Sequence, residues 1–467
     1  VIPVLLALAC AKHPDTNMIH LMQPPEVAPA PSFSPVTPEE LTLSNGARVW
    51  YSHQPGLPLV SINLVLPGGS VTDPGDAPGT THLADSLILE GAGTRDATAF
   101  SAETDRLALD LSVETWGVAS IVSLDAHTGR LQDGLSLFAD AILRPHYSPT
   151  ALDRVRDAAI ADLKERADDP RSVSTVVKDQ VYYGTDNPLA HPVSGSIRGL
   201  KAATIKSLKA SWKERFAPGG ATFVVVGDVD KDTMVQALEA RFGEWTGKGA
   251  TVQLTAPKRP SEGPQLIFVD HPGTSQTSLR VMMPAPSLGD ENLVSAQLGS
   301  IVLGGTFTSR LNQLLREEKH YTYGARARIS TWQSHGVLSA STAVQADMTA
   351  PALKDLLEEL NRYTQGIDEG ELNKARSSVK TRTIETMGSR GSIAAVYAGL
   401  AANDRPINAL VESLNRAQAT TIAQVQAGIN TSSLSQGVVV VVGDLTVIRK
   451  PVEEAVPGKW TVVPRPE

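Results

Sequence analysis

One strand-and-helix plan occurs twice in this chain, and that repetition limits what it can fold into. In "LVSINLVLPGG", Val60, Ile62, Leu64 and Leu66 alternate on one face before Pro67 stops the strand. In "QTSLRVMMPAP", Leu279, Val281, Met283 and Pro284 follow Ile62, Leu64, Leu66 and Pro67 at a constant offset of 217 positions. "SLILEGAG" (Ser86–Gly93) aligns with "SIVLGGTF" (Ser300–Phe307) at an offset of 214. "FVVVGDV" around Gly227 aligns with "VVVVVGDL" around Gly443 at an offset of 216. Three matches in the same order at nearly one offset mark a tandem duplication of a domain of roughly 210 residues.

Each copy opens with strands and continues into amphipathic helices. "LTLSNGARVWYSH" reads as strand, Asn-Gly turn, strand. "TGRLQDGLSLFADAIL" spaces Leu131, Leu135, Phe138 and Ile142 for one helical face. "SPTALDRVRDAAIADLKERADD" has a Ser-Pro start and a stripe of Leu152, Val155, Ala159 and Leu163. This order predicts an α+β fold: two homologous domains, each an antiparallel or mixed sheet with helices packed on one face. The expected boundaries are 38–246 and 265–467, joined by a Gly/Pro-rich linker at 247–264.

The chain has 467 residues, a net charge of −8 and no basic block, which argues against a nucleic-acid partner. The single cysteine, Cys10, excludes intrachain disulfides and Cys-rich metal sites. It ends "VIPVLLALAC" (1–10), an apolar run too short to span a bilayer, which reads as a signal-peptide remnant similar to a bacterial lipoprotein box. Neither a basic leader nor an initiator Met precedes the run, so the true start is expected upstream. Residues 11–37 are Pro-rich and read as a spacer. Lipidation of Cys10 is therefore expected to tether a periplasmic body to the cell envelope, possible membrane contact being through that anchor alone.

"THLADSLIL" carries the chemistry that decides the function. On a helix, His82, Asp85 and Ser86 share one face, the spacing at which a zinc peptidase places two imidazoles around a general-base carboxylate. Asp162, on a second predicted helix, is a candidate third ligand.

Together these strings resemble the pitrilysin/insulinase family of zinc metallopeptidases, whose His-x-x-Glu-His helix is followed about 75 residues on by a ligand glutamate. Asp162 lies 76 positions after Ser86. The resemblance also rests on "LSNGARV", "PGGSVTDPGDAPG", "RFAPGGATFVVVGDV" and "GGTFTSRLNQLLREEKHYTYG", and runs from about Leu41 to the end of the chain. It implies a clamshell of LuxS/metallohydrolase-like domains. The departures fall on the metal site: Ser86 replaces an imidazole with a neutral hydroxyl, and Asp85 and Asp162 are each one methylene short of glutamate. The degenerate set His82, Asp85, Ser86 and Asp162 is expected to hold no zinc, so this chain is expected to carry no cofactor.

Arg316 and Tyr323, seven positions apart in "LLREEKHYTYG", match the family's Arg-plus-Tyr signature. The resemblance implies that they contact peptide beside the zinc of another domain. A helix starting after Gly304-Gly305 is expected to deliver Arg316, with Tyr323 entering the next strand and Arg310 in a structural role. Read without the family, an Arg closing a helix and a Tyr opening a strand are ordinary. A ruined metal helix beside an intact Arg/Tyr pair resembles the companion chain of heterodimeric members. The expected partner is a homologous zinc-bearing subunit, and the expected substrate a peptide. Two rivals remain: a stand-alone metallopeptidase with variant ligands, and a non-enzymatic structural or binding protein on the same fold.

Overall fold

A computed structural model describes residues 33–258 and 263–466. The apolar run ending in Cys10 and most of the Pro-rich spacer lie outside the described residues. Pro35–Glu467 forms one compact unit.

Fourteen strands are described: β1 (Glu39–Thr42), β2 (Arg48–His53), β3 (Leu59–Pro67), β4 (Gly91–Ala92), β5 (Arg95–Asp96), β6 (Asp110–Thr115), β7 (Ala119–His127), β8 (Thr222–Gly227), β9 (Gln265–Asp270), β10 (Gln276–Ala285), β11 (Ala325–Thr331), β12 (Gly336–Gln345), β13 (Val438–Gly443) and β14 (Trp460–Val463). Apart from the small β4–β5 hairpin, they form two six-stranded sheets, ordered β1-β2-β8-β3-β7-β6 and β11-β12-β10-β13-β9-β14. Read from the repeat, β2-β8-β3-β7-β6 and β9-β13-β10-β12-β11 are one topology drawn twice. In both, one parallel pair (β2 with β8, β9 with β13) sits beside three antiparallel ones. The edge strands differ: β1 precedes the first copy and pairs antiparallel, while β14 ends the chain and pairs parallel.

The helices named below are α1 (Thr80–Ser86), α2 (Leu131–Leu143), α3 (Pro149–Ala167), α4 (Pro170–Tyr183), α5 (Ile205–Arg215) and α6 (Arg390–Ala402). Ser148 caps α3 by accepting from the Ala151 amide, with Pro149 in the first turn. Leu131, Leu135, Phe138 and Ile142 of α2 are all buried, packed with Val60, Ile62, Leu64 and Leu66 of β3. Val439 and Val441 of β13 sit in the matching core of the second half, with Leu279, Val281 and Met283.

Helices are not confined to one face of each sheet, and here the structure differs from the expectation. Helix α4, from the first half, packs on β10 and β13 of the second sheet. Val173, Val177, Tyr182 and Tyr183 meet Val438, Val440 and Val442. In return α6, from the second half, packs on β3 and β8 of the first sheet. Ile393, Ala394, Tyr397 and Ala398 meet Trp50, Val65, Val224 and Val226. This exchange explains the run Val438–Val442: a strand covered on both faces needs apolar residues at every position rather than every second one.

Tyr397 is the keystone of the α6 contact. It is fully buried, meets Trp50 edge-on at 6.3 Å between ring centroids, and donates its hydroxyl to the Val36 carbonyl at 2.6 Å. Because each half closes the other's sheet, both halves are expected to unfold in one transition in guanidinium. Tyr397→Ala should lower the stability read from that transition by about 3–5 kcal/mol. A separate early transition that removes only half of the far-UV signal would contradict this coupling.

Candidate functional site

The helix that carries the zinc-like spacing is short and firmly anchored. Gly79 precedes α1 at φ +100, a left-handed conformation in which any side chain is strained, and a Cβ there would lie 2.7 Å from Leu200. The Asp73 carboxylate accepts from the amides of Gly79 (2.6 Å) and Thr81 (2.7 Å), satisfying donors that the first turn leaves open. His82, Asp85 and Ser86 then follow on α1, and each points to a different fate.

His82 and Ser86 line a hollow of about 770 Å³ with Trp116, Arg166, His191 and Trp332 among its walls. Burial holds the His82 imidazole below its ordinary pKa, against the pull of Asp85, Asp73 and Asp162. The Ser86 hydroxyl is turned back on its own helix, donating to the His82 carbonyl at 2.8 Å.

Asp85 faces the protein interior. Its carboxylate takes a 2.8 Å ion pair from Arg215 at the end of α5, and both side chains are only 1% exposed. Ser120 donates to it at 2.5 Å and Thr115 at 2.7 Å, while Arg215 also donates to Ser120 at 2.7 Å. The result is a network in which three donors engage both oxygens of a buried carboxylate.

Asp162 lies on the exposed side of α3, where it pairs with Arg166 at 2.8 Å. Arg166 also lines the hollow beside His82, so a cation stands close to the imidazole. These residues do not fit a zinc ion. One half-buried imidazole faces a hydroxyl spent on its own helix, a carboxylate spent on Arg215, and a second carboxylate spent on Arg166. Among the described residues, no group of three or more His, Cys, Asp and Glu side chains is arranged to hold a metal.

Arg316 and Tyr323 come together at a different place. Both line an open cleft of about 1010 Å³ on the second half, and its lining shares no residue with the hollow at His82. The helix that delivers Arg316 starts later than its sequence suggests. Gly304 breaks the preceding helix because β11 lies against it: a Cβ at Gly304 would come within 2.3 Å of the Ala327 nitrogen. Helical structure resumes at Arg310–Asn312 and widens to π turns over Gln313–Glu318, with Leu311 and Leu315 buried. Arg310 anchors this segment, donating to the Glu371 carboxylate (2.6 Å) and to the Gly366 carbonyl (2.9 Å). Tyr323 does not enter the strand; β11 begins at Ala325, and the phenol stands in the preceding loop, 92% exposed.

The Arg316 guanidinium lies over the Phe307 ring at 4.1 Å and pairs with Glu317 at 3.3 Å. Phe307 is itself exposed, so a stacked cation and a free phenol both face the cleft. Two features were missed at the level of sequence: Phe307 as the support of Arg316, and the arginines of the cleft floor. Arg280 left a signal, being a lone charge within the alternating run of β10.

Two family descriptions match the chain, "Insulinase (Peptidase family M16)" over residues 48–194 and "Peptidase M16 inactive domain" over residues 202–379. The chain belongs to the M16 insulinase/pitrilysin family. An uncharacterized zinc protease of Mycobacterium tuberculosis is 24% identical over 76% of this M16 chain and 82% of its own length. The crystal structure of a peptidase M16 inactive domain from Pseudomonas fluorescens superposes with a TM-score of 0.81 at 23% identity, covering 88% of this chain and 98% of that one. The periplasmic protease PqqL of Escherichia coli superposes with a TM-score of 0.73 at 18% identity, covering 90% of this chain and 47% of that one.

In this M16 chain, Asp85 is a structural residue, and its removal has a definite cost. Asp85→Ala strands the Arg215 cation in the core and should lower stability by about 3–5 kcal/mol in chemical denaturation. Asp162→Ala, at an exposed pair, should change it by no more than about 0.5 kcal/mol. Ser86→His supplies the second imidazole of the family motif but leaves Asp85 locked. Metal analysis of that variant should find far less than one zinc per chain.

Proposed function

We propose that this M16 chain is the non-catalytic, substrate-positioning subunit of a heterodimeric zinc peptidase, acting on peptides in the cell envelope. One contrast carries the reading. The carboxylate at the general-base position is sealed in a buried ion pair, while Arg316 and Tyr323 are presented together to an open cleft. The chain's own His82 hollow and the Arg316/Tyr323 cleft are separate, so the Arg/Tyr pair is available to a site other than this chain's. A homologous subunit with an intact His-x-x-Glu-His helix would supply the zinc, and the two chains would enclose short or unfolded peptides.

The roles of the two residues follow from their chemistry. The Arg316 guanidinium is a planar fork suited to a peptide carbonyl or carboxylate, and its stack on Phe307 limits the freedom it must lose on binding. The Tyr323 hydroxyl can donate to a peptide oxygen as negative charge gathers on it. The envelope location is supported by the signal-like run ending in Cys10 and by the fold of the periplasmic PqqL. No helix among the described residues is long and apolar enough to cross a membrane.

The test is reconstitution with a homologous M16 chain that carries His-x-x-Glu-His, assaying each protein alone and both together on unstructured peptides. Activity is expected only from the pair. In that pair, Tyr323→Phe and Arg316→Ala should each lower kcat by about 10²–10³, the usual cost of one lost transition-state donor. Tyr323→Phe should leave the fold unaffected, because Tyr323 is exposed. Chelator-sensitive proteolysis by the isolated chain would defeat the proposal. Unchanged turnover in both variants would favour a purely structural or binding role.

A further inference from the structure

We propose that the floor of the Arg316/Tyr323 cleft is a carboxylate-binding subsite, so that the peptides this chain holds place an acidic side chain or a free C-terminal carboxylate there. The inference rests on the reading that this cleft receives peptide, and it adds the chemical class of that peptide.

The argument comes from comparing equivalent positions in the two halves. In the first sheet, Ser61 of β3 stands opposite Asp125 of β7, and Asn63 opposite Ser123, which in turn faces Ser112 of β6. Arg390, in the first turn of the exchanged helix α6, donates to Ser61 (2.8 Å) and pairs with Asp125 (2.9 Å). The incoming cation is neutralised there.

In the second sheet, Ser278 of β10 stands opposite Ala343 of β12, and Arg280 opposite Ser341, which faces Arg326 of β11. Arg171, in the first turn of the other exchanged helix, α4, donates to Gln276 at 3.1 Å. The scaffold is the same, but Asp125 has become Ala343, Asn63 has become Arg280 and Ser112 has become Arg326. One negative charge is gone and two positive charges are added, while the helix still brings its own arginine.

Arg171, Arg280, Arg326, Ser278, Ser341 and Ala343 all line the cleft that holds Arg316 and Tyr323. Glu317 is the one acidic residue among those lining it, and it is paired with Arg316. Arg280 is held in place by Ser174 (2.6 Å from Nε) and by the Arg171 carbonyl (3.3 Å). Burial and the nearby Arg328 disfavour its charged form; of the two carboxylates that favour that form, Asp179 is paired with Lys178 and Asp169 caps the start of α4. A guanidinium stays protonated regardless, so a poorly hydrated cation is left facing the cleft. Arg280 and Arg326 sit two strands apart, about 10 Å between backbones, with the Ser341 hydroxyl between them. Two forks flanking a hydroxyl suit a carboxylate, which accepts charge-assisted bonds from both sides.

The experiment measures peptide binding to the isolated full chain by fluorescence anisotropy, without partner or turnover. Three fluorescein-labelled Gly/Ser-rich probes differ only in charge: a central Glu with an amidated end, a central Gln with a free carboxylate end, and a central Gln with an amidated end. At least one carboxylate probe should bind about tenfold more tightly than the neutral one. Which one does so tells a side-chain carboxylate from a terminal one. The advantage should shrink with added salt. It should be lost in Arg326→Ser, which changes an exposed residue, and in Ala343→Asp, which restores the first half's carboxylate; Arg280→Gln should behave alike. Equal affinity of all three probes, including no binding by any, overturns the proposal, as does an advantage that survives both Arg326→Ser and Ala343→Asp. Failure of the reconstituted peptidase would leave these results untouched, so the two readings fall separately.

Discussion

The central strands of both sheets are buried on two faces, and each sheet obtains its second cover from the other half of the chain. That constraint governs the rest of the molecule. A sheet with one naked apolar face is a liability in water, and α4 and α6 remove it reciprocally, meeting Val438, Val440 and Val442 on one side and Trp50, Val224 and Val226 on the other. The exchange also dictates where polar residues can appear. They occur where the first turn of each exchanged helix meets its sheet, at Arg171 beside Ser278 and at Arg390 beside Ser61. The cleft and the ion pair are thus by-products of the way the two halves are locked together.

Within the first half, one carboxylate decides what the helix that carries the zinc-like spacing can do. A general base must reach a proton and titrate near the working pH. Asp85 is not free to reach one, since Arg215, Ser120 and Thr115 take up its oxygens. The loss of one methylene relative to glutamate explains only that the carboxylate is drawn back. Arg215 explains where it goes. Once such a pair is buried, removing either partner leaves an unsolvated charge, so single substitutions of Asp85 or Arg215 are costly.

Much of this architecture could be read from the chain alone, and the reason is physical. Strand alternation at Ile62, Leu64 and Leu66, the helical stripes of α2 and α3, and the duplicated offsets are local patterns with strict periods. They foretold mixed α and β structure built on a repeat, and the motif strings pointed to the M16 family. What could not be read depended on contacts between distant segments. The exchange of α4 and α6 left a trace only in the unbroken valines of β13, a run that marks a strand buried on both faces but not what covers it. The late start of the Arg316 helix comes from the approach of β11 to Gly304, and the capture of Asp85 comes from a residue 130 positions away. Neither contact has a period to detect. Placing Tyr323 in a strand failed because the segment from Tyr321 to Gly324 is an irregular loop before β11, and its phenol is exposed for the same reason.

The two halves show how a duplicated fold can divide its labour. Stability resides in the inward positions, which both copies fill with Val, Leu, Ile and Phe in the same register. The positions that face the exchanged helix near its first turn contribute little to that core, so substitutions there cost the scaffold little and change the chemistry greatly. In the first half those positions closed into a neutral Ser61–Asp125–Arg390 cluster, and the neighbouring metal helix was sealed by Arg215. In the second half the same positions opened into a cationic floor beneath Arg316 and Tyr323. The Arg390–Asp125 pair of the first sheet and the Arg171, Arg280 and Arg326 group of the second are therefore alternative outcomes of a single geometric rule: a helix delivers an arginine to a sheet, and the residue opposite decides whether that charge is paired inside the protein.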